Sequence, residues 1–426
     1  MRSTPPSTTA EPTAVREPTT TAAPGGLNTA PALRRCVGDP DQFAETHWGR
    51  RPLLRRDADF TDLLDLAGVD ELLSERGLRT PFLRIARDGQ IVPAARYTGG
   101  GGLGAEIADQ VRDDLVLAQL ATGATLVLQG LHRVWPPLRD FCLQLGAELG
   151  CAVQANAYLT PPAQTGFATH YDTHDVFVMQ VAGHKHWRVH EPVHPDPLER
   201  QVWGGRADEV KATADGEPAL HHVMSPGDLL YLPRGWLHAA AAQEQTSLHI
   251  TLGLRRPTRY SLVEALLDLA AEHEPLRAGL PLGLDLTDPA QLAPHLADTV
   301  VALSEWVAKA DPDDVARRLR GTAWPATRPA PVPPVAQLHA AETLNPRSAV
   351  ARRPGLRCSV ARDLERVHIE LVDRTVSLPA GCGDAVALLL SGDPVTVADL
   401  PGLDEDADRL VLVRRLLREA ILVPAN

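Results

Sequence analysis

The chain has 426 residues, enough for about three domains of ordinary size. Apolar residues make up 44% of it, and its five cysteines form no CxxC pair, which argues against a disulfide framework and a structural zinc site. The net charge of −12 disfavours nonspecific attraction to nucleic-acid phosphates. Since no apolar segment near the N-terminus indicates a secretion signal or a membrane anchor, we expect a cytoplasmic protein without membrane contact.

The first two segments differ sharply in composition. Residues 1–30 are rich in Thr, Pro, Ala and Ser and are predicted to form a disordered tail. Residues 31–255 are predicted to form one domain, whose part before residue 150 is mostly helical because apolar residues recur every three or four positions. Between residues 153 and 254 the apolar period changes to two, in short runs separated by turns. Such runs are typical of a jelly roll or barrel.

The C-terminal part returns to the helical period. Residues 256–320 are predicted to be helical, and the proline-rich residues 321–335 to be a linker. In residues 336–426 a strand-like edge precedes a long amphipathic helix, which predicts a winged-helix-like domain. Its last 80 residues contain eleven arginines, no lysine and twelve acids, a net charge of −1 that disfavours DNA binding. The expected fold class is therefore α+β.

Histidines indicate where the chemistry lies, because ten of the sixteen fall between His170 and His249. Alternate side chains of a strand share a face, so His170 and Asp172 are expected to project together into the barrel. A further histidine would complete the two-histidine, one-carboxylate set that holds Fe(II) and leaves coordination positions open. His238, which follows a turn, a short strand and a bend, is predicted to be that ligand.

Other histidines of this segment are less favoured as metal ligands. His174 lies about 13 Å along a regular strand from the first ligand, too far to share the metal, and is expected to be structural or to support the ligands. His221 and His222 are adjacent and point to opposite faces, so at most one of them faces inward. His249 is a weaker alternative for the third ligand. The alternative to a metal site is a hydrogen-bonded His–Asp pair that lines a barrel and binds no metal.

Lys185 is the second unusual feature of the barrel segment. It is one of only three lysines in the chain and shares a strand face with Trp187. A lysine inside an apolar barrel has a large desolvation cost unless it meets an anion. A bound dicarboxylate would supply that anion.

The run NAYLTPP…GFATHYDTHDVFVMQVAGHKHWRV, with FAETHWGRRPLL before it, resembles the JmjC-type 2-oxoglutarate oxygenases, particularly the ribosomal-oxygenase group. The resemblance implies a double-stranded β-helix (cupin-type) barrel that uses Fe(II), 2-oxoglutarate and O2. It implies hydroxylation of a side chain, of the histidine or arginine type, in a protein such as a ribosomal protein. It also implies that His170, Asp172 and His238 are the catalytic Fe(II) ligands.

The same resemblance assigns further roles. Lys185 would hold the distal carboxylate of 2-oxoglutarate, while Asn156 and Tyr158 would border the co-substrate and orient the substrate. The helical region would pair two subunits, which makes SLVEALLDLAAEHE the expected homodimer face. One departure is Gly253 in HITLGLRRP, where the histidyl-hydroxylase branch has a serine that contacts substrate, so neither histidine nor arginine specificity carries over.

Three alternatives stay open on the sequence. The enzyme could hydroxylate a free amino acid or a natural-product peptide, because the motif constrains the cofactor more than the substrate. The chain could instead be a non-catalytic metal-binding cupin that acts as a protein-interaction module. Demethylation of N-methyl-lysine uses the same chemistry, but a narrow pocket around Tyr158 favours side-chain hydroxylation.

Overall fold

The computed structural model describes two compact units of the chain. The described residues are 30–87, 89–162, 164 and 168–425. The units are residues 30–319 and residues 320–425. Residues 1–29, and with them nearly all of the predicted tail, lie outside the described part, and the one described residue of that segment, Ala30, is buried.

An eight-stranded antiparallel sheet is the centre of the first unit. Its strands, numbered with all others in chain order, are β1 (Leu53–Arg55), β2 (Leu83–Arg87), β3 (Gln90–Ile91), β6 (Thr125–Leu128), β7 (Ala152–Thr160), β8 (Asp175–Ala182), β11 (Leu229–Leu232) and β13 (Ser247–Arg255). Their spatial order is β1-β11-β8-β13-β7-β6-β2-β3. The long strands β7, β13 and β8 lie side by side in the middle, so they carry most of the ladder.

A smaller antiparallel sheet packs against this one. It consists of β9 (Lys185–His190), β10 (Leu220–Met224) and β12 (Leu237–Ala242), in the order β10-β9-β12. Val178 and Leu230 of the large sheet share a buried apolar cluster with Trp187, Val189 and Met224 of the small sheet. The two sheets therefore enclose a common interior, as a double-sheet barrel requires. A separate pair, β4 (Thr98–Gly99) and β5 (Gln110–Val111), lies outside both sheets.

The helices that precede β7 cover the opposite face of the large sheet. The helices of the first unit are α1 (Pro31–Val37), α2 (Pro40–Thr46), α3 (Leu66–Ser74), α4 (Asp113–Ala121), α5 (Leu131–Val134), α6 (Pro136–Leu149), α7 (Ala207–Ala214), α8 (Arg259–Ala270) and α9 (Pro289–Val307), and α10 (Pro312–Ala323) contains the unit boundary. Leu138 and Leu145 of α6 are fully buried in the same cluster as Ala155 and Ala157 of β7. Each such leucine contributes about 1.5–3 kcal/mol. Residues of β7 alternate between this core and the barrel interior.

The second unit has a core of its own. Its helices are α11 (Pro334–Glu342), α12 (Gly383–Leu389) and α13 (Asp406–Arg418), and its strands are β14 (Ala349–Arg352), β15 (Ser359–Arg362), β16 (Arg366–Glu370), β17 (Thr375–Pro379), β18 (Val395–Thr396) and β19 (Leu422–Pro424). The strands form two antiparallel sheets, β18-β14-β19 and β15-β16-β17. Val413 and Leu416 of α13 are fully buried against them.

The N-terminal part of the first unit differs from the sequence prediction in one respect. The region before residue 150 has the predicted helices, but it also supplies β1, β2, β3 and β6 to the large sheet. These strands have two to five residues. That length is too short to display a period of two, so the mostly helical interpretation was wrong for them.

The mixed α and β class is confirmed, with an antiparallel double sheet at its centre. Among the described residues, no helix combines the length and the apolar character that a membrane crossing requires.

Candidate metal centre

Paired backbones bring two histidines together at the mouth of the barrel. His170 N–H donates to His238 O over 3.2 Å, and His238 N–H donates to His170 O over 2.8 Å. This bridge lies outside the regular pairing of the large sheet. Because the two backbones are joined in both directions, the imidazole centroids lie 4.5 Å apart.

Asp172 reaches the same place from a loop rather than from a strand. The expected strand through His170 and Asp172 is absent from this described segment, since β8 begins only at Asp175. Gly235 N–H donates to Asp172 O over 3.0 Å and holds the loop. Gly235 has φ +87, and a Cβ there would lie 2.8 Å from His194 O, so this bend needs glycine. The sequence analysis correctly predicted that His170 and Asp172 lie close together, but it wrongly attributed this to a shared strand face.

The three side chains form a compact donor set. One ligand atom from each of His170, Asp172 and His238 lies within 4.8 Å of the others, and His238 Nε2 is 3.8 Å from Asp172 Oδ2. The Nδ1 atom of His170 lies 2.7 Å from Ala168 O, and that of His238 lies 3.1 Å from Trp236 O. A carbonyl at Nδ1 places the proton there and leaves Nε2 as the ligand atom. This set fits a divalent transition metal with open coordination positions.

The electrostatics of the donor set favour the forms that bind metals. Burial, with the neighbouring His170, lowers the pKa of His238 to about 4 despite the opposing Asp172 carboxylate. Burial raises the pKa of Asp172, but His238, His174 and His170 outweigh it and lower that pKa below its usual value. At neutral pH the His238 imidazole is therefore neutral and Asp172 is a carboxylate, which are the forms of these two groups that bind a metal.

Asp175 anchors the start of β8 just after the loop. Its carboxylate accepts hydrogen bonds from Tyr231 OH over 3.0 Å and from Arg234 N–H over 2.9 Å, and Arg256 Nε lies 3.3 Å away. The side chain of Asp175 is completely buried, whereas that of Arg256 is 23% exposed. Sequence reasoning missed this residue because its partners lie far along the chain.

Lys185 lies in the barrel interior without an acidic partner among the described residues. It is 2% exposed, donates to Thr160 Oγ1 over 3.0 Å, and has Nζ 3.5 Å from His249 Nδ1. Burial lowers the pKa of Lys185 to about 7. Burial, Lys185 and His238 also lower the pKa of His249 well below its usual value, so this imidazole is neutral.

Trp187 connects the lysine to the donor set. Its ring centroid lies 6.0 Å from that of His238 and 5.6 Å from that of His249. Its Nε1 is buried with no hydrogen-bond acceptor among the described residues. A buried donor without a partner next to an unpaired ammonium fits a pocket for a ligand rich in acceptors.

Tyr158 and Asn156 both lie on the interior side of β7. The ring of Tyr158 stacks on His249 with centroids 4.8 Å apart. Burial and the Asp172 carboxylate raise the pKa of Tyr158 to about 12, against the opposing effect of Arg84. Asn156 Oδ1 accepts a hydrogen bond from Gly130 N–H over 3.1 Å, so the carbonyl end of its amide supports the fold.

The remaining histidines lie outside the donor set of described residues. His174 lines a cleft of about 410 Å³ beside the metal centre. His221 faces His186, with ring centroids 4.4 Å apart, while His222 lies 3.3 Å from Asp228. His249 belongs to the lysine pocket. His238 is therefore the histidine that joins His170 and Asp172.

Comparisons with known proteins show what this chain is similar to. Residues 137–262 match the JmjC domain family. The chain carries a JmjC domain. Ribosomal oxygenase 1 of Rattus norvegicus is 33% identical over 252 residues, which are 57% of this chain and 40% of the rat protein. The bifunctional lysine-specific demethylase and histidyl-hydroxylase NO66 of Drosophila persimilis is 41% identical over 154 residues, 34% of this chain and 22% of the fly protein.

This chain is homologous to these curated relatives and aligns with less than half of their length. Its fold is that of the ribosomal oxygenase YcfD of Escherichia coli, with a TM-score of 0.54 at 19% identity, over 91% of this chain and 98% of YcfD. A second YcfD structure, described in complex with cobalt and 2-oxoglutarate, has a TM-score of 0.51 at 18% identity, with the same coverage of both chains.

Gly253 lies at the position where the sequence analysis places a departure from the histidyl-hydroxylase pattern. A Cβ at Gly253 would lie 2.9 Å from Gln154 Cγ and 3.1 Å from His174 Cε1. The serine of the histidyl-hydroxylase pattern therefore does not fit here unless both neighbours move. Gly253 keeps His174 against β13 at the edge of the cleft.

Gly253→Ser should destabilise the protein by about 1–3 kcal/mol, because overpacking displaces neighbouring groups. Urea denaturation measures the change in the free energy of unfolding. Gly279→Ser is the matched control, since no heavy atom lies within 4 Å of the Cβ position there. Equal stability of the two variants would contradict the crowding at Gly253.

Proposed function

We propose that this protein is an Fe(II)- and 2-oxoglutarate-dependent oxygenase that hydroxylates an amino-acid side chain. The observation that carries the proposal is the donor set of His170, Asp172 and His238 beside a buried lysine without an acidic partner. The names of the relatives, which are oxygenases and hydroxylases, support the same reaction class. The YcfD complex with cobalt and 2-oxoglutarate supports the same ligands.

His170, Asp172 and His238 are proposed to hold the metal. When bound, Fe(II) with 2-oxoglutarate would supply the means to activate O2 for attack on a C–H bond. The protein keeps the two imidazoles oriented through their Nδ1 contacts with Ala168 O and Trp236 O. Both ligands therefore present Nε2 without rearrangement.

Lys185 is proposed to hold the distal carboxylate of 2-oxoglutarate. Its ammonium is already oriented by Thr160 Oγ1, and the neutral His249 beside it adds no competing positive charge. A carboxylate at this ammonium would offset the desolvation cost that burial imposes on Lys185. Tyr158 and Asn156 are proposed to border this pocket on β7, with Tyr158 held by its stacking on His249.

The substrate is proposed to be a protein side chain, with a ribosomal protein as the first candidate because several relatives are named ribosomal oxygenases. The chain has Gly253 in place of the serine that the histidyl-hydroxylase pattern uses, and an added Cβ there would be crowded, so the choice between histidine and arginine stays open. A metal-binding cupin without catalysis is the competing proposal. It would bind metal without 2-oxoglutarate.

We propose that two copies of this chain pair through α8 and α9. Leu262, Val263 and Leu267 of α8 are exposed, and α9 buries none of its 19 residues within the unit. Leu296, Val300 and Val307 repeat on α9 at helical spacing, so they form one exposed apolar stripe. A stripe of this kind on a chain alone in solution is unfavourable, and a second copy would cover it.

The second unit is proposed to be a winged-helix-like module. Its α11 and α13 pack against each other and against β19, and the separate β15-β16-β17 sheet has the size of a wing. Its near-zero net charge favours a protein contact over nucleic acid.

Anaerobic addition of Fe(II) and 2-oxoglutarate should produce the visible charge-transfer band of the chelate, and substrate turnover should release succinate. Asp172→Ala should weaken metal binding more than about 100-fold, since even losing a group that supports a ligand costs 10–100-fold. Asp196→Ala, which alters an exposed aspartate, is the control. Metal binding without a band in folded protein would favour the non-catalytic cupin.

The affinity for 2-oxoglutarate should depend on pH through Lys185. Its pKa of about 7 means that binding of a carboxylate above pH 7 requires uptake of a proton. Affinity should be constant below pH 7 and fall about tenfold per pH unit above it. Calorimetry in buffers of different ionisation enthalpy measures the proton uptake. Lys185→Arg stays charged and should show no such dependence, and a pH-independent wild type would contradict the assignment.

Val300→Glu should convert the dimer to monomer, because it places a charge in the middle of the apolar stripe. Sedimentation velocity at several protein concentrations measures the mass. Leu117→Glu, on the exposed side of α4, is the matched control and should stay dimeric. A wild type that is monomeric at all concentrations, or a dimer unaffected by Val300→Glu, would contradict the pairing.

A further inference from the structure

Arg84 is a second cation on the barrel wall, and one of its nitrogens is buried. It lies on β2 between Leu83 and Ile85, which are both buried in the core against the helices. Since side chains alternate along a strand, Arg84 points to the opposite, interior side. Its Nε is buried and has no hydrogen-bond acceptor among the described residues, while the side chain as a whole is only partly buried.

The ladder places Arg84 in one row with the lysine pocket. Arg84 pairs with Val127, Val127 with Tyr158, and Tyr158 with His249. The positive charge of Arg84 opposes the effects of burial and Asp172 on the pKa of Tyr158, so it lies within electrostatic reach of that ring. Arg84 and Lys185 therefore approach the Tyr158–His249 stack from different elements, β2 and β9.

The arginines of the neighbouring cleft provide the contrast. Arg255 pairs with Glu199, Arg256 with Asp175, and Arg200 and Arg234 also have acidic partners. Arg84 has no acidic partner among the described residues, although its Nε is removed from water. A guanidinium cannot escape the cost by losing its proton. An external carboxylate would supply the acceptor that this buried Nε lacks, which would remove the cost of a buried donor without a partner.

We propose that Arg84 is a second carboxylate-binding group of the barrel and that it holds a carboxylate carried by the substrate. Lys185 binds the co-substrate carboxylate, as proposed above. The assignment of the second carboxylate to the substrate rests on that proposed function. The planar fork of a guanidinium matches the two oxygens of a carboxylate. The substrate class is therefore an amino acid or peptide that presents a carboxylate, from an acidic side chain or a free C-terminus, near the side chain to be hydroxylated.

The test uses succinate as the probe, with metal-free full-length protein and thermal unfolding at constant ionic strength. Lys185→Met removes the proposed co-substrate group, so succinate that still stabilises this variant must bind elsewhere. Adding Arg84→Met should weaken the remaining apparent affinity at least tenfold. Adding Arg87→Met instead should leave it unchanged, because Arg87 is exposed at the end of the same strand.

The melting temperature without ligand separates a binding role from a structural one. Arg84→Met keeps an apolar stem of similar length and removes the unpaired charge, so it should raise the melting temperature relative to Arg87→Met. A lower melting temperature together with unchanged succinate affinity would overturn the proposal. Loss of all succinate binding in Lys185→Met alone would also overturn it, since the carboxylate would then belong to the co-substrate.

The experiment does not depend on turnover. If Fe(II) and 2-oxoglutarate give no charge-transfer band but succinate still binds through Arg84, the oxygenase proposal fails and the carboxylate site stands. If the band forms and Arg84→Met has no effect on succinate, the oxygenase proposal stands and the carboxylate site fails.

Discussion

The centre depends on the two backbone hydrogen bonds between His170 and His238. They join a loop that follows β7 to the start of β12. The backbone alone therefore holds the two imidazoles close together, whether or not they bind a ligand. Because backbone groups make the junction, no side chain of the donor set is used to hold it. Each Nδ1 lies against a nearby carbonyl, which places the proton on Nδ1 and makes Nε2 the ligand atom of each imidazole.

The loop between the bridge and β8 is secured at both ends. His170 belongs to the bridge, and Asp175 is tied to Tyr231, Arg234 and Arg256. Tyr231 OH in turn accepts a hydrogen bond from Gly49 N–H over 2.8 Å. The N-terminal segment that resembles the family thus has a physical role, since through Tyr231 it braces the start of β8, where the Asp172 loop ends. Asp172 is held by its neighbours rather than by a sheet of its own.

The sequence predicted the residues of the candidate site better than it predicted the backbone that positions them. His170, Asp172 and His238 could be chosen because a carboxylate and two imidazoles at this spacing fit one class of metal, and Lys185 because lysine is rare in this chain. The loop at residues 171–174 could not be predicted, since His170 and Asp172 occupy alternate positions, as they would on a strand. Asp175 and Arg84 were missed because their significance lies in which partners they have or lack, and partners distant in sequence leave no local pattern.

The barrel interior holds two cations that reduce stability as it stands. Lys185 is 2% exposed with a hydroxyl and a neutral imidazole as its contacts, and Arg84 has a buried nitrogen with no acceptor among the described residues. Outside the pocket, the completely buried Asp175 is matched by Arg256. The buried charge outside the pocket thus has an ionic partner, whereas the two cations inside it have no acidic partner among the described residues. This arrangement suits anionic ligands. The stacked Tyr158 and His249 rings lie between the two cations and keep their charges apart, so two separate carboxylates suit this interior better than one shared between them.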